Sequence, residues 1–346
     1  MNVLSLFDGL SCGQIALANL GCFPNRYYAS EVDKFAIQQT RHVFPETIHI
    51  GDVTQVDVSK LDKIDLIIGG SPCQSFSFAG KQVGMATTEN IEVTDLDQYL
   101  DLKIMGFEFT GQSYLFWEYM RILTEVRKYN PDVKFLLENV VMSKKWEAVL
   151  TEAIGVEPVR INSNLVSAQN RKRLYWTNIA QIMHPEDEGI FMCDILEDNV
   201  NEKYYVSAKA LEGMVNHARV NSEKGNDFGA RIVSHDGKAN TLCVSLASLD
   251  RNLIVASRGR LGADGVTRQH LEPRTDGKSN CLTTVQKDNL LQTGTGLRRL
   301  TPTECARLQT VPDWYEWVVS DTQIYRMCGN GWTVRVIEHI LKNLFV

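Results

Sequence analysis

The stretch Ile64-Asp65-Leu66-Ile67-Ile68-Gly69-Gly70-Ser71-Pro72-Cys73-Gln74-Ser75-Phe76-Ser77 decides the fold. Its apolar run stops at two glycines, the pattern of a buried parallel strand that opens into a loop at its C-terminal end. Open α/β sheets bind their ligands at that end. Pro72 fixes one backbone angle just before Cys73, and the glycines let other groups approach closely. A thiol with an ordinary pKa of about 8.5 is only slightly ionised at neutral pH, yet it is a strong nucleophile. Most free cysteines are small buried apolar residues. The frame around Cys73 makes it a candidate nucleophile instead.

Working outward, Val3 to Phe7 is apolar and runs into Phe7-Asp8-Gly9-Leu10-Ser11-Cys12-Gly13, after which a helical pattern begins. Strand, glycine turn and helix open a nucleotide-type fold, although the dinucleotide G-x-G-x-x-G fingerprint is absent. Tyr27-Tyr28-Ala29-Ser30-Glu31 is extended and ends in an acid suited to two ribose hydroxyls; the plain alternative is a surface glutamate at a helix start. Gly51-Asp52-Val53 marks a further turn, where Asp52 can accept from an adenine amino group or simply close the turn. Phe135-Leu136-Leu137-Glu138-Asn139-Val140 is another buried strand. A carboxyl at its end can keep a proton available, or be a salt-bridged structural acid. Asn139 is placed to brace the neighbouring loop. Gln169-Asn170-Arg171-Lys172-Arg173 puts two guanidiniums on one side of an extended segment, as a phosphate or a developing anion requires. Leu300-Thr301-Pro302-Thr303-Glu304 reads as a capping box, and a last amphipathic helix follows Gly329-Asn330-Gly331-Trp332-Thr333.

The chain has 346 residues, enough for two domains, and a formal net charge of −6. That charge is uneven. Lys203 to Arg299 holds 15 Lys and Arg against 9 Asp and Glu, a net of +6, and the remainder carries −12. A locally basic segment can contact phosphates whatever the overall sign. From about residue 198 the chain becomes β-like, and a unit repeats. Asp236-Gly237-Lys238-Ala239-Asn240-Thr241-Leu242 returns as Asp276-Gly277-Lys278-Ser279-Asn280-Cys281-Leu282. Loops of this kind can offer Lys238, Asn240, Lys278 and Asn280 to a major groove; the alternative is a duplicated structural turn. The eight cysteines include no C-x-x-C pair, so no metal site is expected, and scattered thiols fit a reducing cytoplasm. No apolar run is long enough to span a membrane, and the N-terminus reads as a strand rather than a signal peptide. Residues 84–111 are polar and acidic, a stretch expected to be a lid, a DNA-backbone contact or a partner surface, the second least of all.

In this order, Phe7 to Gly13, Glu31, Gly51-Asp52-Val53, Gly70 to Ser77, Glu138-Asn139-Val140, Gln169 to Arg173 and Gly329 to Trp332 resemble the DNA cytosine-5 methyltransferase family. The form is similar to phage and bacterial enzymes, and Asp8, the Gly-Gly-Ser-Pro-Cys loop and Trp332 are also similar to the mammalian de novo enzymes. The resemblance implies a doubly wound, mostly parallel α/β sheet with a smaller β-rich target-recognition domain. Its expected bounds are a catalytic domain at 1–197, the recognition domain at 198–298, and a C-terminal return at 299–346. It implies S-adenosyl-L-methionine as cofactor, lined by Phe7, Asp8, Gly9, Leu10, Cys12, Glu31, Val32, Asp52, Val53, Pro72, Asn330, Gly331 and Trp332. It implies Cys73 as nucleophile, Glu138 as the acid at the base, and Arg173 with Arg171 in support. Gln74, Ser77 and Lys81 are expected at the DNA, on a loop that closes over a flipped base. The expected partner is double-stranded DNA, bound by a monomer, with a restriction endonuclease a partner in function only. Thr110-Gly111-Gln112 departs from the basic-Gly pair usual before the next helix, so that arginine's role has no bearer here. Two other readings share the motifs: a tRNA cytosine-5 methyltransferase and a catalytically silent DNA-binding regulator.

Overall fold

Strand β4 (Leu66–Gly70) lies at the centre of a seven-stranded sheet. The others are β1 (Asn2–Leu6), β2 (Arg26–Ser30), β3 (Ile48–His49), β5 (Lys134–Val140), β6 (Val159–Asn162) and β7 (Lys172–Thr177), in the order β3-β2-β1-β4-β5-β7-β6. β7 is antiparallel to both its neighbours, and the β3-β2-β1-β4-β5 part is parallel. The structure is a computed structural model that describes residues 1–76, 84–207, 253–261, 267–274, 276–284, 290–293 and 296–345.

Period-two alternation sends successive side chains to opposite faces of the sheet. Val3, Leu66, Ile68 and Leu136 pack on one face with α1 (Cys12–Asn19) and α8 (Val334–Leu341). Leu4, Leu6, Ile67, Phe135 and Leu137 pack on the other with α4 (Phe116–Tyr129) and α5 (Lys144–Ile154). This is the doubly wound α/β architecture that the sequence implied. Local signals set the helix ends. Asp33 caps α2 (Lys34–Val43), accepting from the amides of Phe35 and Ala36. Gly155, at φ +83°, closes α5 in the left-handed region that favours glycine. Thr301 and Glu304 form the expected capping box at α6 (Pro302–Leu308). The helix α7 (Asp321–Asn330) was not expected from the sequence.

Residues 84–111 are not a free flap. Their helix α3 (Leu96–Ile104) packs on α4, and Met85, Val93, Tyr99 and Leu102 join the core on that side. Tyr99 and Lys103 both donate to the buried Glu118 of α4, each at 2.5 Å. The aromatic rings and paired charges dock this excursion against the sheet's covering helix, contrary to the expectation of a lid.

A second, antiparallel sheet holds β8 (Leu253–Leu261), β9 (Thr267–Arg274), β10 (Leu290–Thr293) and β11 (Gly296–Arg299), in the order β11-β10-β8-β9. Arg298 is buried and makes a two-pronged pair with Glu304 at 2.8 and 2.7 Å. The expected seam between 298 and 299 therefore falls inside β11, at a residue fixed to α6.

Candidate active site

The glycines of β4 carry the close approaches that the sequence anticipated. A Cβ on Gly70 would lie 2.7 Å from Nε1 of Trp332 and 3.1 Å from Oε2 of Glu138. Gly70 is in register with Glu138 on β5. The loop that follows is braced as expected: the Asn139 amide donates to Ser71 Oγ at 3.0 Å and to its carbonyl at 3.3 Å. Beyond Cys73, the Ser75 amide donates to Ser113 Oγ, and the Gly84 amide returns to the Ser75 carbonyl at 3.1 Å. Phe76 is buried against Trp146, and a Cβ on Gly84 would sit 1.9 Å from that indole.

Three of the expected catalytic groups come together. Arg173 Nε is 2.9 Å from Glu138 Oε1, and both side chains are nearly buried. Trp332 Nε1 donates to the other carboxylate oxygen of Glu138 at 3.1 Å. Cys73 is partly exposed and lies within electrostatic reach of both Glu138 and Arg173. Burial, and then the Glu138 carboxylate, push its thiol above the ordinary value, against the pull of Arg173 and Arg171. Burial would lower Arg173, but Cys281 and Glu138 outweigh it, so its guanidinium stays charged.

Arg171 needs correction as a catalytic group. It is 3% exposed, and its guanidinium donates to the carbonyls of Leu282, Gly329 and Gly331. Its support is mechanical: it ties its own strand to the Leu282 and Gly329–Gly331 segments.

The expected cofactor residues line the C-terminal edge of β1, β2 and β3. Phe7, Gly9 and Ser11 have φ of 60°, 57° and 63°, a left-handed turn that only Gly9 takes without strain. Glu31 Oε2 accepts from the Gly9 amide at 2.8 Å, and Oε1 accepts from the amides of Val32 and Asp33. Glu31 thus fixes the turn and keeps lone pairs for hydroxyls. Val32 stands 70% exposed beside it, an apolar surface that a ring can cover. Asp52 caps the short turn at Val53. Cys12 Sγ donates to the Trp332 carbonyl at 3.4 Å, and burial pushes its thiol up to about 12. A Cβ on Gly331 would lie 2.9 Å from Leu10. Asn330 ends α7, and Pro72 lies two residues beyond β4.

Asp8 supplies the test of fit. Its Oδ1 accepts from Ser11 and Tyr27, whereas Oδ2 is sealed from solvent with no partner. Burial pushes the carboxyl up to about 6, and the hydrogen bonds from Ser11 and Tyr27 only partly oppose this. An orphaned buried carboxylate oxygen, two acids and an exposed valine suit a ligand with a cationic end, ribose hydroxyls and a purine.

The DNA-facing expectations fare unevenly. Gln74 is exposed and approaches Gln112 at 3.4 Å. Ser77, Lys81, Lys238 and Asn240 lie outside the described residues. Lys278 is corrected. It is 6% exposed, and its ammonium donates to the carbonyls of Ile190 at 2.6 Å and Asn164 at 2.9 Å. Asn280 also turns inward: Arg274 donates to its Oδ1, and its amide nitrogen is buried. The second copy of the repeated turn therefore docks on residues 162–192, and the structural reading prevails for it. No metal-holding cluster occurs among the described residues, and no helix among them is long and apolar enough to cross a membrane.

The model of the C-5 cytosine-specific DNA methylase family matches residues 1–101 and 162–346. The chain belongs to this family. The matched parts leave out 102–161, which hold Glu138; its place is fixed by register with Gly70 and by its contacts with Arg173 and Trp332. The chain is 30% identical to the type II methyltransferase M.HpaII of Haemophilus parainfluenzae, over 99% of this chain and 88% of that protein. It is 25% identical to the orphan methyltransferase M.SPRI of Bacillus phage SPR, over 99% and 97%. The fold matches a structure of S. pombe Dnmt2 methyltransferase with TM-score 0.60 at 17% identity, covering 100% of both chains. The family uses S-adenosyl-L-methionine as methyl donor, and the Asp8, Glu31 and Asp52 turns suit it. Sequence reasoning missed Tyr27 and Ser11 as holders of Asp8, and Cys281 beside the two arginines. For Cys281 the only signal was its place in the repeated turn.

Proposed function

We propose that this methyltransferase modifies C5 of cytosine in double-stranded DNA through a covalent bond to Cys73. The Glu138–Arg173 pair beside the Cys73 loop carries this reading. A stacked base hides its ring atoms, so the target cytosine must leave the helix. Cys73 loses its proton and adds to C6, which breaks the C5–C6 double bond and places electrons on C5. Glu138 holds a proton at N3, so that the ring can accept the electron pair. Arg173 holds that carboxyl in line and offers charge to the base oxygen or the adjacent phosphate. S-adenosylmethionine supplies an electrophilic methyl group to C5. Loss of the C5 proton to a solvent base then expels Cys73 and restores the double bond, and the N3 proton returns to Glu138.

The second sheet, with the basic segment around it, would read the target sequence as a recognition domain at 198–298, although residues 276–284 serve the catalytic side. The protein acts as a monomer in the cytoplasm, and a cognate endonuclease, where one exists, shares only the target sequence. The net positive charge of 203–299 supports duplex DNA over tRNA.

Duplex DNA carrying 5-fluorocytosine tests the chemistry, because fluorine at C5 cannot leave as a proton. Wild type should give a covalent adduct and Cys73→Ala none. An adduct that survives Cys73→Ala refutes the nucleophile. Transfer to tRNA but not to duplex DNA refutes the substrate, and absence of any adduct or transfer favours a silent regulator.

A further inference from the structure

Residues 276–284 leave the second sheet and run along the catalytic side. Ser279 pairs with Gln169 as an isolated bridge, with hydrogen bonds of 2.7 Å to the Ala168 carbonyl and 2.9 Å from the Asn170 amide. The Leu282 amide donates to Gln169 Oε1 at 2.7 Å. Gly329 has no side chain where the Thr283 carbonyl lies: a Cβ there would be 2.5 Å from it. These contacts fix Cys281 between two guanidiniums. Arg171 Nη1 is 3.2 Å from its sulfur, and Arg173 Nη2 is 3.5 Å away. The other side of Arg173 meets Glu138. Of the two guanidiniums only Arg173 pairs with the carboxylate, while Arg171 is held by backbone carbonyls, and both turn to the same sulfur.

We propose that Cys281 is a positioning residue, whose sulfur clamps Arg173 against Glu138, so that seating of residues 276–284 and alignment of the catalytic pair are one event. This rests on the reading of Glu138 and Arg173 given above. Burial alone would raise the Cys281 thiol, but Arg171 and Arg173, the charged groups that face it, outweigh burial and hold it below the ordinary cysteine value. The two arginines thus favour its thiolate form, the opposite direction to Cys73. Held between the sulfur and the Glu138 carboxylate, Arg173 has one stable orientation. A serine keeps a hydrogen-bond acceptor of similar shape without the charge, and an aspartate supplies the charge.

The test compares Cys281→Ser, Cys281→Ala and Cys281→Asp in the full chain, with thermal melting as the fold control. Single-turnover methyl transfer to duplex DNA at saturating DNA and cofactor should fall roughly tenfold in the serine and alanine variants, the scale of one charge-assisted contact. Cofactor affinity should stay within about twofold, because the interaction acts in the chemical step. The aspartate variant should recover most of the rate. The thiolate absorbance near 240 nm that Cys281→Ser removes should titrate below the ordinary cysteine range. A serine variant as fast as wild type, an aspartate variant no faster than serine, or a Cys281 thiolate signal that titrates at or above the ordinary cysteine range overturns the proposal. If the alanine variant fails to fold, the serine–aspartate comparison still decides. Wild type inactive on duplex DNA would strike the proposed function instead, and the absorbance reading would stand apart from it.

Discussion

The indole of Trp332 donates to Glu138 Oε2 at 3.1 Å, across the space where Gly70 has no side chain. A residue near the C-terminus thereby aims a carboxyl at the centre of the sheet, and the missing Cβ permits it. Gly70→Ala should push the indole and the carboxyl apart. Misplacing a catalytic group by about 1 Å can cost about a hundredfold, so the turnover number should fall by that order. A kinetic assay that finds Gly70→Ala within twofold of wild type would show that this contact does not align the acid.

Glu138→Gln keeps the shape and an acceptor for Trp332 but cannot hold a transferable proton. Turnover should fall by about 10²–10⁴-fold, the usual share of general acid–base catalysis. Cofactor affinity, measured by titration calorimetry, should barely change. Equal losses in both would mean that the residue is structural.

The raised Cys73 thiol makes a signed prediction. Burial and Glu138 favour the neutral form, so less thiolate exists at a given pH than in free cysteine. Alkylation of Cys73 by iodoacetamide, followed by peptide mapping, should be slow at neutral pH and accelerate above the ordinary cysteine range. Glu138→Gln removes a raising charge and should move that curve to lower pH.

Asp8 gives a stability profile. Its carboxyl stands at about 6 in the fold against 3.8 as the ordinary value, so the folded state binds its proton more tightly than the unfolded chain does. Stability from this group is present at low pH and is lost as pH rises through about 6, by about 3 kcal/mol in full. The melting temperature of Asp8→Asn relative to wild type should therefore rise between pH 4 and pH 8. A flat difference would place the titration elsewhere.

Lys278 separates a structural lysine from a DNA-binding one. Its ammonium serves the carbonyls of Asn164 and Ile190. Lys278→Met should cost about 1–3 kcal/mol by denaturant melting, the penalty for unmade buried hydrogen bonds. The salt dependence of DNA affinity should keep its slope, because no phosphate contact is lost.

Much of the site was legible because its signals are local. An apolar run ending in Gly69-Gly70 announced the strand, and Pro72 and Cys73 followed from it. Thr301 and Glu304 announced a helix start by spacing alone, and Glu138 ended a second apolar run. The remainder depends on contacts distant in sequence. Lys278 reads as a surface cation, because nothing nearby says that the chain will fold its ammonium onto carbonyls more than eighty residues away. Arg171 and Arg173 look alike in sequence, yet one ties backbone together and the other faces the acid. The helix Asp321–Asn330 was hidden because its end runs into Gly329-Asn330-Gly331, which reads as a turn. The acidic insertion resembled a flap, since the burial of Tyr99 depends on Glu118.

If the second sheet reads the target sequence as proposed, the docking of residues 276–284 bears on how new specificities can be grafted. A cassette cut at the edges of the second sheet would carry away Ser279, Cys281 and Leu282 and strip the host of the ties they make to Ala168, Gln169 and Arg171. A workable splice must leave that strip with the recipient and exchange only the chain on either side, which splits the specificity module into two inserts.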